Sequence, residues 1–164
     1  MKNNTNDSNN SYLIVQIGTE KYAIHVKNVI SIQEMLTITQ IPLAPEFLKG
    51  LINLRGSAIP VIDSNIKLGL GQTQITGKTG IIVMSFPFGN QDYSIAALVD
   101  AVDEVMEITE EQIGPPPSMA NTYKSEFISG TVTLDQTFIM ILDFIKLFKR
   151  VELEDIEHAL IEKV

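Results

Sequence analysis

Laid on itself at an offset of 80 residues, the chain matches without a gap: Phe47, Gly50, Leu54, Ile59, Val61, Ile62 and Asp63 meet Phe127, Gly130, Leu134, Ile139, Ile141, Leu142 and Asp143. At an offset of 73, Val26, Val29 and Ile32 meet Val99, Val102 and Val105. The two periods differ by a loop length, as expected of two diverged copies of one β unit. With only two copies, the repeat predicts two small pseudo-equivalent barrels sharing a core. Chance similarity of hydrophobic strands is the competing explanation and carries less weight.

The local patterns are those of β-structure. Residues 12–17, YLIVQI, form a β-branched run closed by Gly18-Thr19-Glu20-Lys21, and Tyr22 to Val26 then alternates apolar and polar, which predicts a hairpin. Alternation resumes at Val29 to Ile32. Pro42 and Pro45 interrupt the chain, Arg55-Gly56-Ser57 reads as a turn, and Ala58 to Ile62 as a strand whose Pro60 suggests an edge or a bulge. Gly69 to Gly80 is poor in large apolar residues and reads as a mobile connection. A second hairpin, Gly80 to Phe86 with Tyr93 to Val99, is followed by strands at Val102 to Ile108, Phe127 to Leu134 and Thr137 to Leu142. Residues 1–11 read as a disordered, Asn-rich tail. In 150–164, Leu153, Ile156, Leu160 and Val164 recur at helical spacing among Glu, Asp and Lys, predicting an amphipathic helix, with packing across the domain favoured over capture of a partner.

Charge restricts the partners. The 164 residues carry twelve Lys and Arg against twenty Asp and Glu, a net charge of -8, which disfavours nucleic acid and anionic membrane surfaces. Residues 1–78 hold seven basic and five acidic side chains and 79–164 hold five and fifteen, so the halves carry +2 and -10. No basic residue lies between Lys78 and Lys124. That stretch suits a face that steers a basic partner, although a solvated, solubilising surface explains it as simply. The chain has no cysteine, which removes disulfides and thiolate chemistry. Its longest apolar runs, such as Phe138 to Leu142, are five residues, against about 20 for a membrane span. With no apolar stretch at the start to serve as a signal peptide, a cytoplasmic protein is expected.

Catalytic candidates are thin. His25 alternates with Ile24 and Val26 on the polar face of a strand, and His158 sits among carboxylates; neither has a partner at ligand spacing. Gly69-Leu70-Gly71 lacks the Lys-Ser/Thr of a phosphate loop. Asp63 and Asp143 each end an apolar strand before a possible helical turn, which predicts N-caps and not a catalytic pair. Glu110 and Glu111 have nothing to position them. No enzyme, cofactor or metal is expected. Arg55 is the conspicuous polar residue, because its counterpart in the repeat is Asp135. A guanidinium presents a rigid fork suited to a carboxylate, and both an internal ion pair and a partner's carboxylate remain open.

These residues resemble the CheW family, the adaptor proteins of bacterial chemotaxis. The resemblance is carried by Tyr22-Ala23-Ile24 with Val26 and Val29, by the block from Phe47 to Gly56 running into Ile59 to Asp63, by Leu98 to Val105, by Ile113 to Pro117, and by Phe127 to Gly130 through Ile141 to Asp143. It covers residues 12–149 as a single domain. It implies two five-stranded SH3-like β-barrels around a shared core, followed by the C-terminal helix. It also implies a scaffold that binds the cytoplasmic tip of methyl-accepting chemoreceptors and the regulatory domain of the histidine kinase CheA, and that joins other CheW-like subunits in rings. Carried over by position, the receptor-facing groove involves Val29, Gly50, Arg55, Val102 and Val105; the kinase-facing residues stay unassigned. The sequence departs from the family at Ser31, where many members have Glu, leaving Glu34 as the nearby carboxylate for Arg55, and at Ser64-Asn65, where a basic residue is usual after Asp63. An adaptor of a different array, such as one controlling surface motility, is the nearest alternative. A stand-alone small-molecule-binding β-barrel is a more distant one.

Overall fold

β1 (Ser11–Ile17) and β2 (Glu20–His25) form the first expected hairpin, with Ile14 opposite Ala23. The computed structural model describes residues 10–116 and 127–148. After a 3-10 turn at Val26–Asn28 come β3 (Val29–Glu34), β4 (Leu48–Leu54), β5 (Ser57–Asp63) and the short helix α1 (Ser64–Lys67). The second half supplies β6 (Gly80–Phe88), β7 (Gln91–Val99), β8 (Ala101–Glu107), β9 (Ile128–Leu134), β10 (Thr137–Leu142) and α2 (Phe144–Leu147). The helix expected over 150–164 and most of the tail expected over 1–11 lie outside the described residues.

The strands form two five-stranded mixed sheets, in the orders β8-β1-β2-β10-β9 and β3-β6-β7-β5-β4. Replacing each strand by its counterpart in the other half, β1 by β6 through β5 by β10, converts one order into the other. Register follows the same symmetry: Ala23 is flanked by Ile14 and, in parallel, by Ile141, whereas Ala96 is flanked by Val83 and, in parallel, by Val61. Each sheet therefore takes strands from both halves of the sequence. The repeat is real in three dimensions, but the copies are interleaved.

The expected pair of closed SH3-like barrels is not what forms. Both sheets are open, ending on β8 and β9 in one and on β3 and β4 in the other, and no ladder joins those ends. Among the described residues, the chain beyond β3 forms a single isolated β-bridge to β4, Thr39 with Leu51, and the chain beyond β8 a single one to β9, Gly114 with Thr131. Closure needs a continuous, staggered ladder around the barrel. The connecting segments carry Pro42 and Pro45 in one half and Pro115 and Pro116 in the other, and proline has no N–H to contribute. The same reasoning corrects Pro60. β5 is an internal strand, but its parallel ladder with β7 begins only at Val61, so Pro60 stands outside the stretch paired on both sides.

Alternating side chains build three apolar layers. Leu13, Val15 and Ile17 of β1 meet Ile82, Met84, Ala97 and Val99 in the core between the sheets. Ile14, Ala23, Val132 and Ile141 cover the outer face of one sheet, and Ile59, Val61, Val83 and Ala96 that of the other. Burial on both faces explains why Tyr12 to Val15 of β1 read as a continuous apolar run, each such side chain contributing about 2 kcal/mol.

Candidate functional site

The five residues carried over by resemblance fall on the edges of the sheets. Val29 opens β3 and Val102 lies in β8, and both pack half-buried against the shared core. Val105, further along β8, is 55% exposed. Val102 also reaches Gly80 at the start of β6: a Cβ there would stand 2.8 Å from Val102 Cγ2. Since Gly80 pairs with Glu34 of β3, the edges β3 and β8 approach each other on that side. Ile30 and Ile32 of β3 are exposed as well, so the two edges present apolar side chains to solvent. On β8 these are mixed with exposed Asp103, Glu104 and Glu107, the negative stretch seen in the sequence.

Gly50 and Arg55 sit at the opposite edge of the β3 sheet, on β4 and its turn. Gly50 is buried with φ 146°, and a Cβ would lie 2.1 Å from the Thr39 carbonyl oxygen. It shapes the edge by letting the Thr39 backbone close on it, and offers no side chain of its own. Arg55 and Gly56 make the β4–β5 turn with φ 53° and 87°, and the Asn53 side chain accepts the Gly56 amide at 2.8 Å. The matching turn holds Asp135 and Gln136 at φ 50° and 65°, so the repeat places opposite charges at equivalent left-handed positions. Arg55 is exposed and makes no ion pair among the described residues. The internal pairing with Glu34 is not formed.

Asp63 and Asp143 cap the two short helices as their position in the repeat predicts. Asp143 stops there, with Lys146 N donating at 3.2 Å. Asp63 is fully buried and holds more: Oδ1 accepts Asn65 N at 3.0 Å and Thr73 Oγ1 at 2.6 Å, Oδ2 accepts Thr73 N at 2.9 Å, and Lys49 Nζ stands 3.6 Å away. Asn65 Nδ2 donates to Thr73 Oγ1 at 2.7 Å and to Asp100 Oδ2 at 2.8 Å. Sequence reading missed Thr73, Asn65, Asp100 and Lys49, since nothing local marks them as partners. They also correct the connection at 69–80, which is anchored at buried Thr73 and Thr79.

The remaining candidates are ordinary. His25 stacks edge-on against Tyr12 at 5.0 Å and accepts Lys27 N at 3.0 Å. Glu110 and Glu111 are exposed in a 3-10 turn begun by Thr109, whose amide donates to Gln112 Oε1 at 2.8 Å. His158 lies outside the described residues. Among the described residues, no group of three or more His, Cys, Asp or Glu is arranged to hold a metal, and no helix is long and apolar enough to cross a membrane.

This architecture has counterparts among known proteins. Residues 11–152 match the family described as CheW-like domain. A chemotaxis protein CheW of Klebsiella aerogenes is 32% identical over 148 residues, 90% of this chain and 87% of that protein. A probable chemotaxis protein CheW of Rhizobium etli is 28% identical, covering 91% of this chain and 94% of that protein. Among solved structures, the scaffolding protein TtCheW of Thermoanaerobacter tengcongensis superposes with a TM-score of 0.75 at 32% identity, covering 87% of this chain and 90% of that one. With the matched region spanning both interleaved sheets, the chain belongs to the CheW-like domain family.

Proposed function

We propose that this protein is a chemotaxis scaffold that couples methyl-accepting chemoreceptors to a CheA-type histidine kinase, working by association and not by catalysis. The observation that carries this reading is the match along 87% of the chain to a protein described as a scaffold. It acts at the cytoplasmic face of receptor arrays, binding the receptor tip and the kinase regulatory domain, with further CheW-like subunits as neighbours in a ring. The receptor contact is assigned to Val29, Val102 and Val105 on the edges β3 and β8 and to Arg55 on the β4–β5 turn at the opposite edge of the β3 sheet, with buried Gly50 shaping that edge from beneath. The exposed Arg55 guanidinium and the apolar side chains on the edges β3 and β8 support that assignment, because a few apolar anchors and one Arg are enough to dominate an interface. Signal passes through the scaffold when receptor and kinase each prefer one of two arrangements, since coupling requires differential affinity.

Arg55→Glu is expected to cut receptor capture at least tenfold in a pull-down while leaving the circular dichroism spectrum intact. Unchanged capture removes Arg55 from the site. Affinity purification from the native cell is expected to bring down chemoreceptors together with a CheA-type kinase, and recovery of neither overturns the scaffold reading.

A further inference from the structure

The apolar layer on the outer face of the β3-β6-β7-β5-β4 sheet borders a pocket of about 260 Å³. Met35, Ile38 and Leu98 of that layer are its apolar walls, and exposed Ile75 stands at its mouth. Lys49 of β4 is the one ionisable residue in the described lining, and the exposed side chains of Gln40 and Gln72 add carboxamide donors. The volume falls below the ~300 to 1,000 Å³ of a cleft for a drug-sized molecule, which restricts the occupant to something smaller.

The cation in this pocket is not explained by Asp63 alone. The two Asp63 oxygens already accept Asn65 N, Ile66 N, Thr73 N and Thr73 Oγ1, enough donors to satisfy a buried carboxylate. Lys49 Nζ stays 3.6 Å from it, beyond hydrogen-bond length, and makes no hydrogen bond among the described residues. The ammonium therefore brings a charge and its full set of donors to the pocket, although only 19% of the Lys49 side chain is exposed to water. The repeat makes the same point. Where the first unit has Lys49 the second has Ser129, and Asp143 caps its helix without a lysine at that position. We infer that the pocket binds a short-chain aliphatic monocarboxylate, with its carboxylate on the Lys49 ammonium and its hydrocarbon tail against Met35, Ile38 and Leu98. A phosphate asks for several strong donors at once, and here there is a single cation among apolar walls.

Butyrate titrated into the whole 15N-enriched chain at about pH 7, where a carboxyl is ionised, is expected to shift the amides of Lys49, Gln72, Thr73 and Ile75 along one saturable curve. Acetate, with two methylenes fewer, and 1-butanol, with the tail but no charge, are each expected to bind about tenfold more weakly. Acetate binding as well as butyrate means that the pocket reads only a bare carboxylate, such as a partner's acidic side chain. Sodium chloride at matched ionic strength giving the same shifts means a non-specific anion effect. Either result overturns the proposal, as do shifts that do not saturate or that fall elsewhere. Lys49→Met is expected to weaken butyrate about tenfold or more, and a folded variant with unchanged affinity also overturns it. If Lys49→Met does not fold, because Asp63 is left buried without its counter-charge, Ile75→Glu, a change at the exposed mouth, must weaken butyrate by about as much for the proposal to stand.

Discussion

Asn65 ties the two sheets together through Asp100: its Nδ2 donates to Asp100 Oδ2 at 2.8 Å, and that same oxygen accepts the Gly18 amide in the β1–β2 turn at 2.6 Å. Asp63, which caps the helix carrying Asn65, ends β5 in one sheet, and Gly18 belongs to the other. The network thus crosses the shared core at its polar end.

Asn65→Ala removes both side-chain donations and leaves Asp100 with one donor fewer. A loss of about 2 kcal/mol is expected, since removing one member of a buried polar set costs the desolvation of those left behind. Urea unfolding of the variant checks this by a lower midpoint at unchanged slope. A midpoint equal to that of the parent protein would show that the junction is held by packing alone.

Gly50 and Gly56 both have positive φ, 146° and 87°, but only Gly50 is hemmed in. Gly50→Ala sets a Cβ 2.1 Å from the Thr39 carbonyl oxygen, and backbone must move. A destabilisation of about 3 kcal/mol is expected there. Gly56→Ala, with nothing within 4 Å, costs only the left-handed backbone, about 1 kcal/mol. Thermal melts of the two variants should separate clearly, and equal losses would contradict the close approach.

Ser64 is fully buried at the first position of α1 and its hydroxyl has no hydrogen-bond partner among the described residues. Ser64→Ala deletes an unsatisfied polar atom and improves helix propensity. Stability is expected to rise by about 1 kcal/mol, read as a higher melting temperature. A fall would reveal an ordered water serving that hydroxyl.

Tyr12 and Tyr22 keep their phenol protons beyond the ordinary 10.0, first because burial disfavours the phenolate and then because of Glu110 and Glu20 respectively. Above about pH 10 the unfolded chain releases protons that the folded chain retains, so the stabilisation is complete below that pH and lost as pH rises toward the folded values. Melting temperatures between about pH 9 and about pH 11 should therefore fall, and Tyr22→Phe should fall less steeply. An equal decline in the variant would remove Tyr22 from the effect.

Local features of the fold and site were legible in the order of residues. The hairpins follow from period-two alternation, Asp63 and Asp143 follow from an acid placed after a strand and before a helical turn, and the pairing of Arg55 with Asp135 as equivalent turn residues follows from the offset of 80. What was not legible is contact between distant residues. Nothing in the sequence says that Asn65 finds Asp100, that Arg55 leaves Glu34 alone, or that β5 lies inside a sheet despite Pro60.

The sequence by itself determined that there are two copies of one β unit, which side of each strand is apolar, and where each unit turns. Only the tertiary structure decided that the copies exchange strands, with β1 and β2 lying between β8 and β10 and with β6 and β7 lying between β3 and β5, and that neither sheet closes. The reason is that side-chain pattern sets the face a strand buries, whereas its neighbours are chosen by backbone N–H and C=O groups that are alike at nearly every residue. Which partner completes the ladder is settled by how the three apolar layers pack at once, and that is a property of the whole chain.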